Sequence, residues 1–335
     1  MARPKVLLIE HMYDPAGEAL LHQHADVRLI ENASPGSIME AVGDVNGICV
    51  RYPAKLGADA IEHAKRTGIV ATSGRGTDSI DLEAATRHGI AVVNNPGFGP
   101  IPVSEHALAL IFALTKHVLK ADRLVRQGVG WDERLNLGYH ELHGRTLGVI
   151  GLGAIGSEMV RKCIAAFSMK VLTYDPYVPA AKATALGATM VKDLGELLAA
   201  SDIVSMHPEL SDTARGMIGE AQLRRMQKHA LLINTARGKV VQQAALAKAL
   251  AEGWIAGAAL DVFEDEPPAK NNPLYRFENC IMSPHMGGLT IETNRHLSIS
   301  AASQVLQALR GERPPHVVNP SAWDHAAARI KSLGL

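Results

Sequence analysis

Cysteine is scarce in this chain: three in 335 residues, at Cys49, Cys163 and Cys280. An odd number, widely spaced and without metal-ligand spacing, excludes a disulfide framework and a cysteine-built metal centre. It points to reduced, mostly buried thiols in the cytoplasm. Net charge is absent as well, with 34 Lys and Arg against 34 Asp and Glu. That balance gives no footprint for a nucleic-acid backbone and none for a polybasic membrane anchor. No apolar run approaches the roughly 20 residues of a membrane helix. The start, Met1-Ala2-Arg3-Pro4-Lys5, leads straight into the short apolar Val6–Ile9, so no signal peptide is expected. No metal site, internal repeat or low-complexity segment is found. The length suffices for two domains, each able to bury its own core.

What is present is alternation. Val6–Ile9, Val27–Ile30, Gly47–Val50, Ile69–Thr72 and Ile90–Val93 are short apolar segments rich in β-branched residues. Between them, Asp59–Arg66 and Leu82–His88 carry helical spacing. Such alternation predicts a doubly wound parallel sheet. Breaker-rich Asn94–Pro102 then reads as a hinge, followed by one long helix from Val103 to about Gln127. A second series of strands follows at Gly148–Ile150, Val171–Tyr174, Ile203–Met206, Leu231–Asn234, Ala258–Val262 and Ile281–Ser283. A last helix, Ile291–Arg310, and proline-rich segments near 314 and 320 are expected to return to the first domain. The expected architecture is therefore α/β with two doubly wound parallel-sheet domains. Residues 100–288 form a Rossmann domain, inserted into a flavodoxin-like outer domain built from 1–99 and 289–335. Ligands bind at the carboxyl ends of parallel strands, so the reaction is expected in the cleft between the domains.

The most specific motif opens the second series. The strand Leu147–Ile150 runs into Gly151-Leu152-Gly153-Ala154-Ile155-Gly156, and Ser157–Lys162 continues as helix. Nineteen residues past Gly156 a second apolar segment ends on Asp175. This is the arrangement of a dinucleotide site. Gly151 permits the tight turn, Gly153 lets the backbone approach a pyrophosphate, and Gly156 lets helix and strand pack closely. The helix N-terminus offers N–H groups and a positive dipole end to the phosphates. A carboxylate at Asp175 accepts ribose hydroxyls and repels a 2′-phosphate, which favours NAD over NADP.

Three further segments follow strands of that domain: Asn234–Gly238, Asp261–Pro267 and Ser283–Gly288. Together they bring an arginine, a carboxylate and a histidine to the edge where a nicotinamide would lie. Hydride transfer to a 2-keto acid needs those groups. A guanidinium clamps the carboxylate and polarises the carbonyl. An imidazolium protonates the forming alkoxide, and a carboxylate behind it fixes its orientation. Taken singly, Arg237 also reads as a surface arginine, Glu266 as part of a solvated acidic loop, and His285 as a structural histidine.

These motifs, with Gly74-Arg75-Gly76-Thr77-Asp78-Ser79-Ile80-Asp81, resemble the D-isomer-specific 2-hydroxyacid dehydrogenase family over about residues 3–320. That family includes phosphoglycerate, glycerate, hydroxypyruvate and glyoxylate enzymes. The resemblance implies Arg237, Glu266 and His285 as the catalytic set. It implies Gly151, Gly153, Ala154, Ile155, Gly156, Asp175, His207, Thr235, Ala236, Asp261 and Gly287 as the NAD-binding set, with Asp261 holding the nicotinamide carboxamide. Ser73, Gly74, Arg75 and Gly76 would grip the substrate carboxylate through backbone amides, as a glycine-rich nest does. It further implies a homodimer through the 103–145 region. Family members also include NAD(H)-sensing transcriptional corepressors, an alternative of another class.

Departures from the family pattern bear on the substrate. Arg51 follows a strand of the outer domain where phosphoglycerate enzymes carry a phosphate-binding arginine, and Arg75 lies inside the loop at a place usually held by a small or apolar residue. Two such arginines suit a substrate with a second anionic group. Arg51 also reads as a surface residue, Arg75 as a contact to the NAD phosphates, and the enzyme as a glyoxylate or hydroxypyruvate reductase without second-anion preference. His207-Pro208-Glu209-Leu210 departs from the usual His-x-Pro-Leu. No regulatory domain is expected after residue 320.

Overall fold

The computed structural model describes residues 3–334. The sequence reading of Met1, Ala2 and Leu335 lies outside them. The chain forms two compact units. One takes the residues up to Gly99 and those from Leu289 onward, and the other takes Pro100–Gly288.

In the first unit five strands, β1 (Lys5–Ile9), β2 (Asp26–Ile30), β3 (Gly47–Val50), β4 (Ile69–Thr72) and β5 (Ala91–Val93), make an all-parallel sheet in the order β2-β1-β3-β4-β5. The middle strands are buried on both faces and read as continuous apolar runs for that reason. One face packs Leu7, Ile9, Ile48 and Val70 against Ile38, Ile61 and Ala84. The other packs Val6, Leu8, Ile69, Ala71 and Val93 against Ala301, Ala302, Val305, Leu306 and Trp323 from the C-terminal part of the chain.

The second unit holds seven strands: β6 (Thr146–Ile150), β7 (Lys170–Tyr174), β8 (Thr189–Met190), β9 (Ile203–Met206), β10 (Leu231–Asn234), β11 (Gly257–Leu260) and β12 (Cys280–Met282). All pair in parallel, in the order β12-β11-β10-β9-β6-β7-β8. Renumbered within the unit, this is the doubly wound dinucleotide-binding order with one strand added at the far edge. In each sheet the strand order reverses at one place, between β1 and β3 and between β6 and β9. Such switch points are where open α/β sheets bind ligands.

The single long helix expected from Val103 is corrected. A helix starts already at Pro100, inside the expected hinge, because proline is tolerated in a first helical turn. It ends at Thr115, and a second helix runs Val118–Arg126. Between them His117 adopts a left-handed backbone, φ +49°. The break separates two environments. The first helix buries Ala107, Leu110, Ile111 and Leu114, whereas the second buries none of its residues and leaves Val118, Leu119 and Val125 exposed.

Cys49, Cys163 and Cys280 are free and buried, and burial pushes each thiol up to about 12. Among the described residues no helix is long and apolar enough to cross a membrane. No cluster of His, Cys, Asp and Glu there is arranged to hold a metal ion.

Candidate active site

The switch point of the second sheet carries the glycine loop. Gly151 leaves β6 with φ +88°, and a Cβ there would lie 2.7 Å from the carbonyl carbon of His207. At Gly156 a Cβ would meet the Gly151 carbonyl oxygen at 2.1 Å, so only glycine lets the helix Ala154–Phe167 start this close to the strand. At Gly153 a Cβ would meet nothing within 4 Å, so the loop is open on the side where a pyrophosphate would approach. Ala154 and Ile155 form the first turn of the helix.

Asp175 closes the turn. Its Oδ2 accepts the Leu152 amide at 2.8 Å and its Oδ1 the Tyr177 amide at 2.9 Å. A carboxylate has about four acceptor positions, so the group retains capacity for ribose hydroxyls. Lys182 donates to the Leu152 carbonyl at 2.6 Å and braces the same loop.

Across the switch point His207 follows β9, its amide donating to the Ile150 carbonyl at 2.7 Å. Its Nε2 lies 2.8 Å from Ser205 Oγ. Nδ1 is buried without a hydrogen-bond partner among the described residues, as is Oγ1 of Thr235 after β10. Leaving a buried polar atom unmatched costs about 1–3 kcal/mol. Two such atoms at neighbouring strand ends beside a dinucleotide loop fit a ligand that supplies the missing partners. Burial pushes His207 down to about 3, so it is a neutral imidazole at working pH. Ala236, after Thr235, is fixed by its amide donating to Asn234 Oδ1 at 3.0 Å.

Arg237 follows directly, and its Nη1 donates to the Ala236 carbonyl at 2.8 Å. The next residue, Gly238, packs so tightly on the backbone of Phe263 that a Cβ would lie 1.8 Å from that carbonyl group. This contact fixes the arginine segment to the loop that carries Glu266. Glu266 Oε1 accepts the Phe263 amide at 2.8 Å, and Oε2 lies 2.7 Å from His285 Nδ1. The glutamate side chain is 14% exposed and the histidine 36%. A carboxylate only accepts, so Nδ1 carries a hydrogen and Nε2 is the position that exchanges a proton. His285 itself sits in the left-handed region, φ +52°, its amide held by the Asp261 carbonyl at 2.8 Å.

Asp261 organises that loop. Its buried carboxylate accepts the Ser283 hydroxyl at 2.6 Å and the amides of Met286 and Gly287 at 2.9 and 2.8 Å. Burial alone would raise its pKa. Hydrogen bonds from His106, Ser283 and the two amides outweigh that and hold it below the usual carboxylate range. The resemblance assigned Asp261 to the nicotinamide carboxamide; the structure gives it the additional task of holding the segment that presents His285.

His106, which the sequence reading missed, belongs to this network. Its Nε2 lies 2.9 Å from Ser283 Oγ and 3.3 Å from Asp261 Oδ1. The one Ser283 hydroxyl hydrogen goes to Asp261, so His106 Nε2 must be the donor, which fixes its protonation at that nitrogen. The signal in the sequence is Glu105-His106, the two titratable residues of the helix Pro100–Thr115.

The outer-domain candidates all lie in the first unit. Arg51 follows β3, with Nη2 3.6 Å from Glu10 Oε2 and its guanidinium 5.8 Å from the Tyr13 ring centroid. Ser73 follows β4, its amide bonded to the Val50 carbonyl and its Oγ accepting the Tyr52 amide at 3.4 Å. The loop that follows is tied down by its carbonyls. Gly74 accepts the Asn95 amide, Arg75 the Asn94 side chain, and Gly76 the Thr72 hydroxyl.

Comparison with known proteins points the same way. Residues 108–287 match the model of the D-isomer specific 2-hydroxyacid dehydrogenase NAD binding domain. A glyoxylate reductase of Korarchaeum cryptofilum is 39% identical over 323 residues, covering 95% of this chain and 96% of that protein. A D-3-phosphoglycerate dehydrogenase of Methanocaldococcus jannaschii is 38% identical over 315 residues, 94% of this chain but only 59% of that protein. Among solved structures, the holo form of Rhodotorula graminis D-mandelate dehydrogenase superposes with a TM-score of 0.85 at 29% identity, covering 95% of this chain and 98% of that one. An NADPH-dependent glyoxylate/hydroxypyruvate reductase of Sinorhizobium meliloti, in complex with NADP and malonate, gives 0.84 at 27% identity, covering 96% and 98%.

Proposed function

We propose the following division of labour for this chain, which belongs to the D-isomer-specific 2-hydroxyacid dehydrogenase family and is a nicotinamide-dependent oxidoreductase of 2-hydroxy acids. Arg237 binds the substrate carboxylate through two parallel hydrogen bonds and polarises the neighbouring carbonyl. His285 gives a proton from Nε2 to the oxygen that becomes the hydroxyl, and in the oxidative direction takes it back. Glu266 holds Nδ1–H and keeps the exchanging proton on Nε2. The nicotinamide, when bound, exchanges a hydride with the substrate's C2. The glycine loop 151–156 and the helix behind it hold the pyrophosphate. Asp175 accepts the ribose hydroxyls, and its charge favours NAD over NADP. His207, Thr235, Ala236, Asp261 and Gly287 line the nicotinamide side. Arg51, Ser73, Gly74, Arg75 and Gly76 of the first unit bind the substrate.

The pairing that carries this reading is Glu266 with His285 at 2.7 Å, in one unit with the dinucleotide loop. It is tested by following NADH oxidation against glyoxylate, hydroxypyruvate, phosphohydroxypyruvate, oxaloacetate and sulfopyruvate, with NADPH as control. Turnover of at least one substrate, faster with NADH, is the expected result. Tight NADH binding without turnover of any of them would return the chain to the cofactor-sensing corepressor reading. Within the enzyme class, the near-full-length likeness to glyoxylate reductases supports a small substrate. Arg51 and Arg75 are the residues that support a second anionic group.

We further propose that two copies pair through residues 103–145. Trp131 and Leu135 are 77% and 87% exposed there, beside the exposed apolar residues of the Val118–Arg126 helix. Isolated apolar residues on a surface need no explanation, whereas a cluster marks an interaction face. The native chain is expected to sediment as a dimer and Trp131→Asp as a monomer; a dimeric variant would place the interface elsewhere. A cytoplasmic location is supported by the three unpaired, buried thiols.

A further inference from the structure

The switch point of the first sheet lies between β1 and β3, and each of these strands is followed at once by a charged residue. Glu10 follows β1 and Arg51 follows β3, and the Arg51 amide donates to the Ile9 carbonyl at 3.1 Å. Both line a small concavity that opens to solvent, with Tyr13, Thr72, Ser73 and Ser298 as its other polar walls. Every one of these residues belongs to the first unit.

Glu10 is built into place rather than draped there. Its backbone takes the left-handed conformation, φ +68°, which is uncommon for a residue other than glycine. Its amide donates to the Ile30 carbonyl at 2.9 Å, and its Oε1 accepts the Ala33 amide at 2.7 Å. The second oxygen, Oε2, is thereby left 3.6 Å from Arg51 Nη2. The guanidinium is only partly answered. Its Nε is buried without a hydrogen-bond partner among the described residues.

A lone arginine at a switch point makes a cationic pocket for a phosphate, sulfonate or carboxylate. Here the fixed carboxylate brings the pair to zero net charge. An incoming second anion would gain from Arg51 and lose against Glu10 at similar range, so the Coulomb terms largely cancel. A hydroxyl meets no such conflict, because its oxygen accepts from the partly exposed Arg51 guanidinium and its hydrogen goes to an acceptor on the pocket wall. We propose that Glu10 is a specificity-determining residue. By neutralising Arg51 it makes the first-unit pocket select 2-keto acids with a neutral, hydroxyl-bearing tail over those with a second anionic group. This rests on the reading that Arg51 and its neighbours bind the substrate, and it chooses between the two tails left open there.

The test compares wild type with Glu10→Gln, whose amide oxygen still accepts the Ala33 amide while the charge is gone. In the wild type, kcat/KM is expected to be higher for hydroxypyruvate than for oxaloacetate, phosphohydroxypyruvate or sulfopyruvate. In Glu10→Gln the ratio of oxaloacetate to hydroxypyruvate is expected to rise about tenfold, mainly through a lower KM for oxaloacetate, as removing one partly screened charge contact should do. A wild-type preference for the doubly anionic substrates overturns the proposal without any variant, so a failure of Glu10→Gln to fold does not shelter it. An unchanged ratio in a folded variant also overturns it, and leaves the dehydrogenase reading intact. No turnover of any 2-keto acid by the wild type would instead bring down the dehydrogenase reading, and this proposal with it.

Discussion

His285→Asn is expected to lower kcat by about 10²–10⁴-fold, the usual contribution of a positioned general acid or base. Asparagine is the informative replacement. Position 285 has φ +52°, and asparagine tolerates that conformation better than other side chains without a titrating group. The loop is also anchored by main-chain contacts the substitution does not touch: Asp261 accepts the amides of Met286 and Gly287 and offers its carbonyl to residue 285. The variant should therefore fold and bind NADH as the wild type does, and fail in proton transfer alone. Glu266→Gln should also lower kcat strongly. Its oxygen still accepts the Phe263 amide, so its NH2 faces Nδ1 and opposes the Nδ1–H that the proton-donating ring carries. Steady-state kinetics with matched NADH-binding titrations check both. A His285→Asn enzyme that kept a tenth of wild-type kcat would remove His285 from the chemistry.

Arg237→Gln is expected to reduce kcat/KM by about 10³-fold, through KM and kcat together, because one group both binds the carboxylate and polarises the carbonyl. Arg237→Lys should recover only part of the loss. The ammonium keeps the charge but not the planar fork. The arginine sits on a backbone locked from both sides, by Asn234 donating to its carbonyl at 3.0 Å and by Gly238 pressed on Phe263. A lysine therefore cannot shift its main chain to compensate. A Lys variant with wild-type kcat/KM would show that charge alone suffices and would refute two-pronged binding.

The sequence was most legible where backbone geometry leaves one choice of residue. Gly151 and Gly156 are required by sterics that the Gly-x-Gly-x-x-Gly spacing expresses directly, and the strands of both sheets followed from short apolar runs, except the two-residue edge strand β8, which is too short to show one. Less legible was the break at His117. Apolar spacing continues across it, and only the change from a buried helix to an exposed one ends the first segment. His106 was invisible because its partners, Ser283 and Asp261, lie far along the chain. Glu10 escaped notice for the same reason: the meaning of Arg51 depends on a carboxylate forty-one residues earlier, delivered by strand pairing.

The first unit is assembled from two separated stretches of chain, and this gives synthesis an order. The nucleotide-binding unit is contiguous and can close on itself as soon as it leaves the ribosome. The first sheet cannot, because Val6, Leu8, Ile69, Ala71 and Val93 await a cover formed by Ala301, Ala302, Val305, Leu306 and Trp323. At about 5–20 residues per second, the interval between making that sheet and making its cover is on the order of ten to forty seconds. Through that interval the nascent protein carries an apolar β-surface shielded only in part, by Leu21 and Ala25 of its own first helix segment. The half of the enzyme made first is thus the last to be complete, and the one whose apolar face waits longest for its cover.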